Sequence, residues 1–298
     1  MRRAIALLIT LMFVMIISVA IGYGLTQIKK ASRIVENEDM LYKSSMVLED
    51  VLAVLQASPD VNRLADSNSS SELYLFFQMT DSLPFNIADE KVILSLKSAN
   101  AKVNINSLNK KNEELFRDFF SRYMISNNYV DILKECMRKN QAKDKYNNYI
   151  SSLFDKNPTL FRDYIASKEH LEQINRFYLQ EYGDTNLKNI PFEELFSFKA
   201  DSNSSVDLNY ISSFGWELIT GASQERAQEL FAGEGSYNTM ADLQLTPQER
   251  LNIAKFQTTF YAPYILVEIE ILRDTNSVKI RFIYDIKSKR GYDFVFEV

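Results

Sequence analysis

The chain begins with an uncharged apolar run, which constrains its structure more than any other feature. The run extends from Ala4 to Ile28 (AIALLITLMFVMIISVAIGYGLTQI), with two arginines before it and two lysines after it. As a helix, a run of about 25 residues spans about 37 Å, which exceeds the ~30 Å hydrocarbon core of a bilayer. Backbone groups inside lipid must be hydrogen-bonded within the segment, so the run has to be helical. The sequence therefore predicts a membrane anchor over residues 1–28.

A cleaved secretory peptide is the alternative interpretation of this run. Such a peptide has a shorter apolar region and a small-residue exit, and Ala20, Gly22 and Gly24 offer only a weak exit of that kind. Basic residues flank both ends nearly equally, so charge alone does not fix the orientation. Because the globular bulk follows the anchor, we expect the short N-terminal tail inside the cell and the bulk outside.

The composition of the remaining chain limits its possible functions. Its length of about 270 residues suffices for one large domain or two small ones. An apolar content of 46% and a charged content of 24% are ordinary for a globular protein. The net charge of −5 argues against a nucleic-acid surface, since phosphate binding depends on clustered lysine and arginine. The single cysteine, Cys136, cannot form an internal disulfide and is expected to be a buried apolar residue.

The chain is poor in residues that carry out catalysis. His170, the only histidine, lies in the surface-like helical segment SKEHLEQI. No His/Cys cluster, glycine-rich phosphate loop or GxSxG motif is present in the sequence. We therefore expect neither an enzyme nor a bound cofactor, and this composition argues against the alternative of an anchored periplasmic enzyme.

Residues 29–57 are predicted to continue the membrane helix. Apolar residues recur there at three- and four-residue steps, at Leu41, Val47, Leu48, Val51, Leu52 and Leu55. They form one apolar stripe on a long helix, which ends at Ser58-Pro59-Asp60 and is followed by a polar loop over 66–71. A helix of more than ~50 residues, half in lipid and half outside, is typical of filament subunits.

Strand-like segments follow, and helical segments replace them from Lys110 onwards. The predicted strands cover 73–79 (LYLFFQM), 92–96 (VILSL) and 102–106 (KVNIN). In the last of these, Val103 and Ile105 are expected on one face and two asparagines on the other. The predicted helices include 114–124, 129–137, 147–154, 170–179, 223–231 and 246–260, and the last begins with a capping box of Thr246 and Glu249.

The chain ends in three segments of alternating apolar and polar residues. They cover 264–272 (YILVEIEIL), 278–286 (VKIRFIYDI) and 292–298 (YDFVFEV), with turn residues at 274–277 and 289–291. This spacing predicts an antiparallel meander. We therefore predict an α+β fold in which a long N-terminal helix and a small antiparallel sheet are interrupted by a large inserted all-helical domain. The two joints of such an insertion, at Asn106 and Pro263, must lie near each other.

The predicted domain plan assigns residues 1–28 to the anchor, 29–106 to the long helix and first strands, 107–262 to the inserted helical domain and 263–298 to the final strands. This plan, together with several motifs, resembles the K-type minor pseudopilins of type II secretion systems. The start RRAIALLITLMF, the segment AKVNINSLN and the stretches at 165–198 and 206–231 are similar to segments of that family in the same order. The resemblance covers nearly the whole chain.

The resemblance implies a prepilin-type leader and a processing site. Prepilin peptidase would cut between Ala4 and Ile5, where Ala4 replaces the usual glycine. The fifth mature position is then Ile9, whereas other pilins carry glutamate there; the K-type is similar to this chain in lacking it. An unpaired carboxylate in hydrocarbon is costly, so a glutamate is of use only where a subunit ahead supplies its partner. The resemblance therefore implies a subunit at the leading tip of a filament.

The expected function is that of a minor pseudopilin that nucleates the pseudopilus for protein export. Its expected partners are other minor pseudopilins, prepilin peptidase and the inner membrane, with the bulk in the periplasm. The family's acidic segment is not visible, since only Asp144 lies within CMRKNQAKDKYNN, so no calcium site is predicted.

A membrane-anchored DNA receptor of an uptake system is the alternative function. Gly221 and Ala227 resemble half of a helix-hairpin-helix, a motif found in SAM-like helical domains. However, Ser223 replaces the second glycine and no basic cluster surrounds the turn. The residues therefore favour a packing role for this hairpin, and no nucleic-acid partner is expected.

Overall fold

The computed structural model describes residues 40–87, 90–137, 153–154, 160–273 and 276–297. The helices are α1 (residues 40–57 as described), α2 (Pro59–Ser67), α3 (Ser70–Thr80), α4 (Glu113–Arg122), α5 (Asn128–Cys136), α6 (Lys168–Tyr182), α7 (Phe192–Leu195), α8 (Ser213–Thr220), α9 (Gln224–Ala232) and α10 (Pro247–Ile253). The strands are β1 (Leu83–Ile87), β2 (Glu90–Ser98), β3 (Val103–Asn104), β4 (Phe196–Ser197), β5 (Val206–Asp207), β6 (Thr258–Thr259), β7 (Tyr264–Arg273), β8 (Asn276–Asp285) and β9 (Arg290–Glu297).

A five-stranded antiparallel sheet has the strand order β1-β2-β7-β8-β9. The predicted meander is confirmed, with Val267 opposite Phe282 and Ile280 opposite Phe296. Every second residue of β7 and β8 is buried, because successive side chains in a strand point to opposite faces. One face of the sheet therefore carries an apolar layer. The predicted strand at 92–96 is also confirmed and lies within β2.

Helix α1 packs its apolar stripe on that layer. Val47, Val51 and Leu55 are buried as predicted, and Leu48 and Leu52 pack at the edge of the same cluster. Leu41, in contrast, is exposed, and Met40 takes its place in the buried stripe. Met40 and Ser44 lie three or four residues before the next buried residue of the stripe, so they share its helix face. Leu41 is rotated by about 100° from that face.

The predicted strand at 73–79 is wrong, because this segment lies in helix α3. The Ser69 side chain caps the helix and accepts a hydrogen bond from the Glu72 N–H, at 3.3 Å. Leu73 and Phe77, one helical turn apart, are buried against the sheet. The polar loop predicted over 66–71 contains only a short break at Asn68, which has a left-handed φ of 46° between α2 and α3.

A second apolar cluster extends from Val103 to Phe256 and is separate from the cluster under the sheet. Helices α4, α5, α6, α9 and α10 confirm five of the predicted helical segments, and the Thr246–Glu249 capping box of α10 is present. The predicted helix at 147–154 lies outside the described residues except for 153–154.

This second part is not entirely helical, which corrects the prediction. Two short parallel strand pairs, β3–β4 and β5–β6, lie within it. Both faces of the 103–106 segment are buried, because Asn104 donates to the Lys199 carbonyl and Asn106 to the Ile165 carbonyl, each at 3.0 Å. The alternation of apolar and polar residues there does not mark a half-exposed strand. Instead, hydrogen bonding makes burial of the asparagines tolerable.

The chain crosses between the two clusters at two adjacent points. The Ala99 N–H donates to the Tyr264 carbonyl at 3.0 Å, so the outgoing and returning segments touch. Asp207 is hydrogen-bonded to both of these segments. Its N–H donates to the Asn100 carbonyl of the outgoing segment, and its Oδ2 accepts from the Ala262 N–H of the returning segment, each at 2.9 Å. We call this hydrogen-bonded crossing, formed by 99–100, Asp207 and 262–264, the neck.

Candidate assembly surface

The residues predicted to be processed lie outside the described part of the chain. These are Ala4 and Ile5. The fifth mature position Ile9, the rest of the apolar run and Asp144 also lie outside the described residues. Among the described residues, no helix has the length and apolar character needed to cross a membrane. The described part of the predicted long helix is α1, so its side chains give the geometry nearest to the N-terminal segment.

Helix α1 exposes several large apolar side chains in addition to its buried stripe. Outside its buried stripe it exposes Tyr42, Met46 and Val54, with exposed fractions of 69%, 51% and 66%, alongside the exposed Glu49 and Asp50. A helix that serves only as the cover of a sheet has polar residues on its outer face. Exposed apolar side chains of this size, placed along one helix, are typical of a surface that is covered by another protein.

Strand β9, at one edge of the sheet, adds a second exposed apolar surface. Its exposed side chains include Tyr292, Phe294, Val295 and Phe296. The Phe294 ring stacks on buried Phe282 with centroids 5.1 Å apart, so it extends the apolar face of the sheet outward. Leu52 lies beside Gly291, since a Cβ built there would be 3.1 Å from Leu52 Cδ2. The edge strand and the flank of α1 are therefore continuous.

The α8–α9 hairpin, the candidate for nucleic-acid contact, uses its backbone internally. Gly221 has a φ of 68° and donates its N–H to the Glu217 carbonyl at 2.9 Å. The Ala222 N–H donates to Thr220 Oγ1 at 3.1 Å, so neither of these amides is free for a phosphate. Ser223, in place of a second glycine, caps α9 by accepting from the Arg226 N–H at 3.3 Å.

A basic side chain at the turn, Arg122, is held by bonds within the chain. Arg122 donates through Nη2 to the Gly221 carbonyl at 2.6 Å and also bonds to the Ala222 carbonyl. It is paired with the buried Glu217, whose other oxygen accepts from the Tyr123 hydroxyl at 2.7 Å. Ala227 is buried. These contacts confirm a packing role for Gly221 and Ala227.

His170 and Cys136 are both buried, which confirms the prediction for the cysteine and corrects it for the histidine. His170 lies on the apolar stripe of α6 with Leu171 and Ile174, a spacing that is visible in the sequence. Its Nδ1 accepts from the Ala166 N–H at 3.2 Å, and burial lowers its pKa, so the ring is neutral at pH 7. Burial raises the pKa of Cys136 to about 12, which keeps the thiol protonated.

Metal-binding side chains do not converge in the described ranges. No group of three or more histidine, cysteine, aspartate or glutamate residues lies close enough there to hold an ion. Several acidic side chains are paired with cations, as in the network of Glu113, Arg117, Asp131 and Lys134.

Comparison with known protein families gives no match, and no curated protein matches the sequence. Among solved structures, the fold is similar to a chain in the crystal structure of the GspK-GspI-GspJ complex from the type 2 secretion system of enterotoxigenic Escherichia coli. The TM-score is 0.64 at 11% sequence identity, and the match covers 90% of this chain and 99% of that chain. The resemblance to K-type minor pseudopilins that the motifs indicated is thus confirmed at the level of the fold.

Proposed function

We propose that this chain is a K-type minor pseudopilin, which nucleates the pseudopilus of a type II secretion machine from its tip. The observation that carries the proposal is the fold match, which extends over both apolar clusters rather than over the sheet alone. The role is structural, since the protein provides contacts for assembly and no reaction. The order of the sequence motifs supports the same assignment independently.

The N-terminal residues supply the membrane part of this proposal. The apolar run within residues 1–28 anchors the protein in the inner membrane with its bulk in the periplasm, and prepilin peptidase removes the leader by cutting between Ala4 and Ile5. Ile9 occupies the fifth mature position, where a glutamate would need a partner in the subunit ahead. A tip subunit has no subunit ahead, so an apolar residue suits that place.

The partners in the proposed assembly are other minor pseudopilins. The neighbouring structure is a complex with GspI and GspJ, and this chain exposes apolar side chains on α1 and β9 that suit such contacts. Interfaces of ordinary size bury roughly 1,200–2,000 Å² and depend on a few aromatic or apolar anchors. Tyr42, Met46 and Phe296 are exposed side chains of that type.

Co-purification tests this proposal. The full chain, extracted in detergent, is mixed with the other minor pseudopilins encoded near it, and we expect a hetero-complex on size-exclusion chromatography. The same preparation is titrated with DNA at low and high salt, because phosphate binding weakens steeply as salt rises. Salt-dependent DNA binding without a hetero-complex would instead support the DNA-receptor alternative, which the internally bonded α8–α9 turn does not favour.

A further inference from the structure

A cavity lies where α3 meets the loop that follows α9. It has a volume of about 510 Å³ and is lined by Tyr74, Phe77, Asp81, Lys97, Tyr210 and Glu234, among others. The Ser70 hydroxyl contacts Asn238 Oδ1 at 2.7 Å and so joins helix α3 to this loop. The cavity is therefore lined both by the sheet part of the chain and by residues of the segment between 101 and 261.

Three aromatic rings form one wall of the cavity, and the backbone fixes them in place. The Tyr210 ring lies between Tyr74 and Phe77, at centroid distances of 6.1 and 5.3 Å. Tyr74 lies against Gly235, whose φ is 77° and where a Cβ would come within 2.2 Å of the ring. Its hydroxyl accepts from Gln78 Nε2 at 2.6 Å. The wall is therefore ordered before any ligand arrives.

Two polar groups at this wall have no partner among the described residues. The Tyr210 hydroxyl is buried without a hydrogen bond. The Glu234 carboxylate is half-buried, makes no ion pair or hydrogen bond in the described ranges, and lies close enough to influence the Tyr210 phenol electrostatically. Buried polar groups are nearly always bonded, so such a pair requires an explanation.

The charges of the cavity favour a cation. Lys97 is already shared between Asp81 and Glu268, at 3.8 and 3.6 Å, which leaves Glu234 uncompensated. A bare metal ion would need several oxygen ligands, whereas the cavity offers one free carboxylate and one phenol. Aromatic faces beside a carboxylate suit an organic cation, which stacks on the rings and donates hydrogen bonds.

We propose that this cavity binds a guanidinium or ammonium group, which donates to the Glu234 carboxylate and packs against the aromatic wall beside Tyr210. The group has two sources: a free small cation, or an arginine or lysine side chain of a partner protein. A group held there would contact α3 and the 233–238 loop at once, and so would couple the two parts of the chain.

The first arm of the test uses a free cation. The full chain in detergent, with ¹³C-labelled tyrosine, is titrated with Nα-acetyl-arginine amide, and the Tyr210 resonance is assigned from Y210F. We expect a saturable shift that the neutral Nα-acetyl-citrulline amide does not produce. E234Q should weaken binding roughly tenfold, because it removes a charge-assisted hydrogen bond. E194Q, at an exposed glutamate outside the cavity, should leave binding unchanged.

The second arm uses the partner proteins and rests on the proposed function. If the cation belongs to a partner, the free probe binds poorly, but E234Q lowers the affinity of the hetero-complex about tenfold while E194Q does not. Equal affinities of both variants in both arms, with the wild-type tyrosine spectrum retained, would overturn the proposal. A wild-type chain that forms no hetero-complex would contradict the proposed function alone and leave the first arm to decide the site.

Discussion

At the residue scale, Asp207 is the side chain on which the neck depends most. It is fully buried, and its two carboxylate oxygens accept from the N–H groups of Asn209 and Ala262, at 3.0 and 2.9 Å. Burial raises the pKa of Asp207 to about 7, although both hydrogen bonds favour the ionised form and lower it. The loss of hydration therefore outweighs the two bonds. No cationic side chain contacts the carboxylate in the described ranges to reverse this balance.

The elevated pKa of Asp207 predicts a pH dependence of stability. Between the ordinary pKa of 3.8 and about 7, the unfolded chain is ionised at this residue while the folded chain still holds the proton. The folded state therefore binds more protons, and the free energy of unfolding falls as pH rises through this window. We expect a loss of about 2 kcal/mol between pH 5 and 7 from this residue.

Denaturant unfolding of the wild type and of D207N at pH 5, 6, 7 and 8 measures this contribution. D207N should be less stable at low pH, because an amide replaces one acceptor of the two N–H groups, but its stability should vary less between pH 5 and 7. Parallel pH profiles of the two proteins would show that Asp207 does not titrate in that window.

At the scale of single elements, the α8–α9 hairpin provides a matched pair of glycines. Gly221 and Gly183 both follow a helix with a left-handed φ, of 68° and 63°. A Cβ at Gly221 would lie 3.0 Å from Asn252 Nδ2 and 3.2 Å from Leu115 Cδ2, whereas a Cβ at Gly183 meets nothing within 4 Å. The two positions share the backbone strain but differ in packing.

G183A should therefore cost about 1 kcal/mol, from the left-handed conformation alone. G221A should cost about 2–3 kcal/mol, because tight contacts add to the same strain. Chemical denaturation of both variants measures the difference. Equal costs would mean that Asn252 and Leu115 move aside freely and that the hairpin is not tightly packed.

Helix α1 allows a similar comparison of adjacent residues. Met46 is half exposed, while Val47 is 4% exposed and packs on the sheet. V47D would bury a charge without a partner and should destabilise the sheet cluster by more than ~3 kcal/mol. M46D should change stability by less than ~0.5 kcal/mol, yet weaken the hetero-complex with other minor pseudopilins.

Thermal unfolding and size-exclusion chromatography of both variants separate these two effects. A stable M46D protein that still assembles with wild-type affinity would exclude the outer face of α1 from the interface.

Elements with a clear period were predictable from the sequence, and those fixed by capping or tertiary contacts were not. Apolar and polar residues alternate in β7 and β8 because only one face of each strand is buried. This alternation was enough to predict the meander. In α3, a run of apolar residues hid the helical spacing of Leu73 and Phe77, although Ser69 and Glu72 already carried the cap signature. At Asn104 and Asn106, burial depends on carbonyls of Lys199 and Ile165 that are distant in sequence, and no local pattern records them.

The candidate surface was only partly predictable for the same reason. The stripe on α1 indicated a buried face, but the exposure of Tyr42 and Met46 outside it follows from how the sheet is placed. The cavity beside Tyr210 depends on segments more than a hundred residues apart, so the sequence held no sign of it.

At the scale of the whole molecule, the neck predicts that the sheet cluster folds without the second cluster. Because Ala99 and Tyr264 are directly hydrogen-bonded, a short Gly/Ser linker in place of residues 101–261 can join the segments without distortion. The deletion variant should keep strand signal in circular dichroism, with reduced stability, since Leu64 and Ser70 lose their contacts to Tyr261 and Asn238.

The same deletion combined with V47D should be unfolded and serves as the control. Loss of all strand signal in the deletion variant alone would show that the two clusters fold as one unit, contrary to the predicted division at 107–262.

The position of the chain in assembled pseudopili tests the central claim most directly. Pseudopili are isolated from cells that carry an epitope-tagged version of this chain, labelled with gold-conjugated antibody and viewed by electron microscopy. A tip subunit predicts label at one end of each filament, in an amount that does not change with filament length. Label distributed along the filaments, or filaments that form normally and carry none, would contradict the assignment of this chain as the tip pseudopilin.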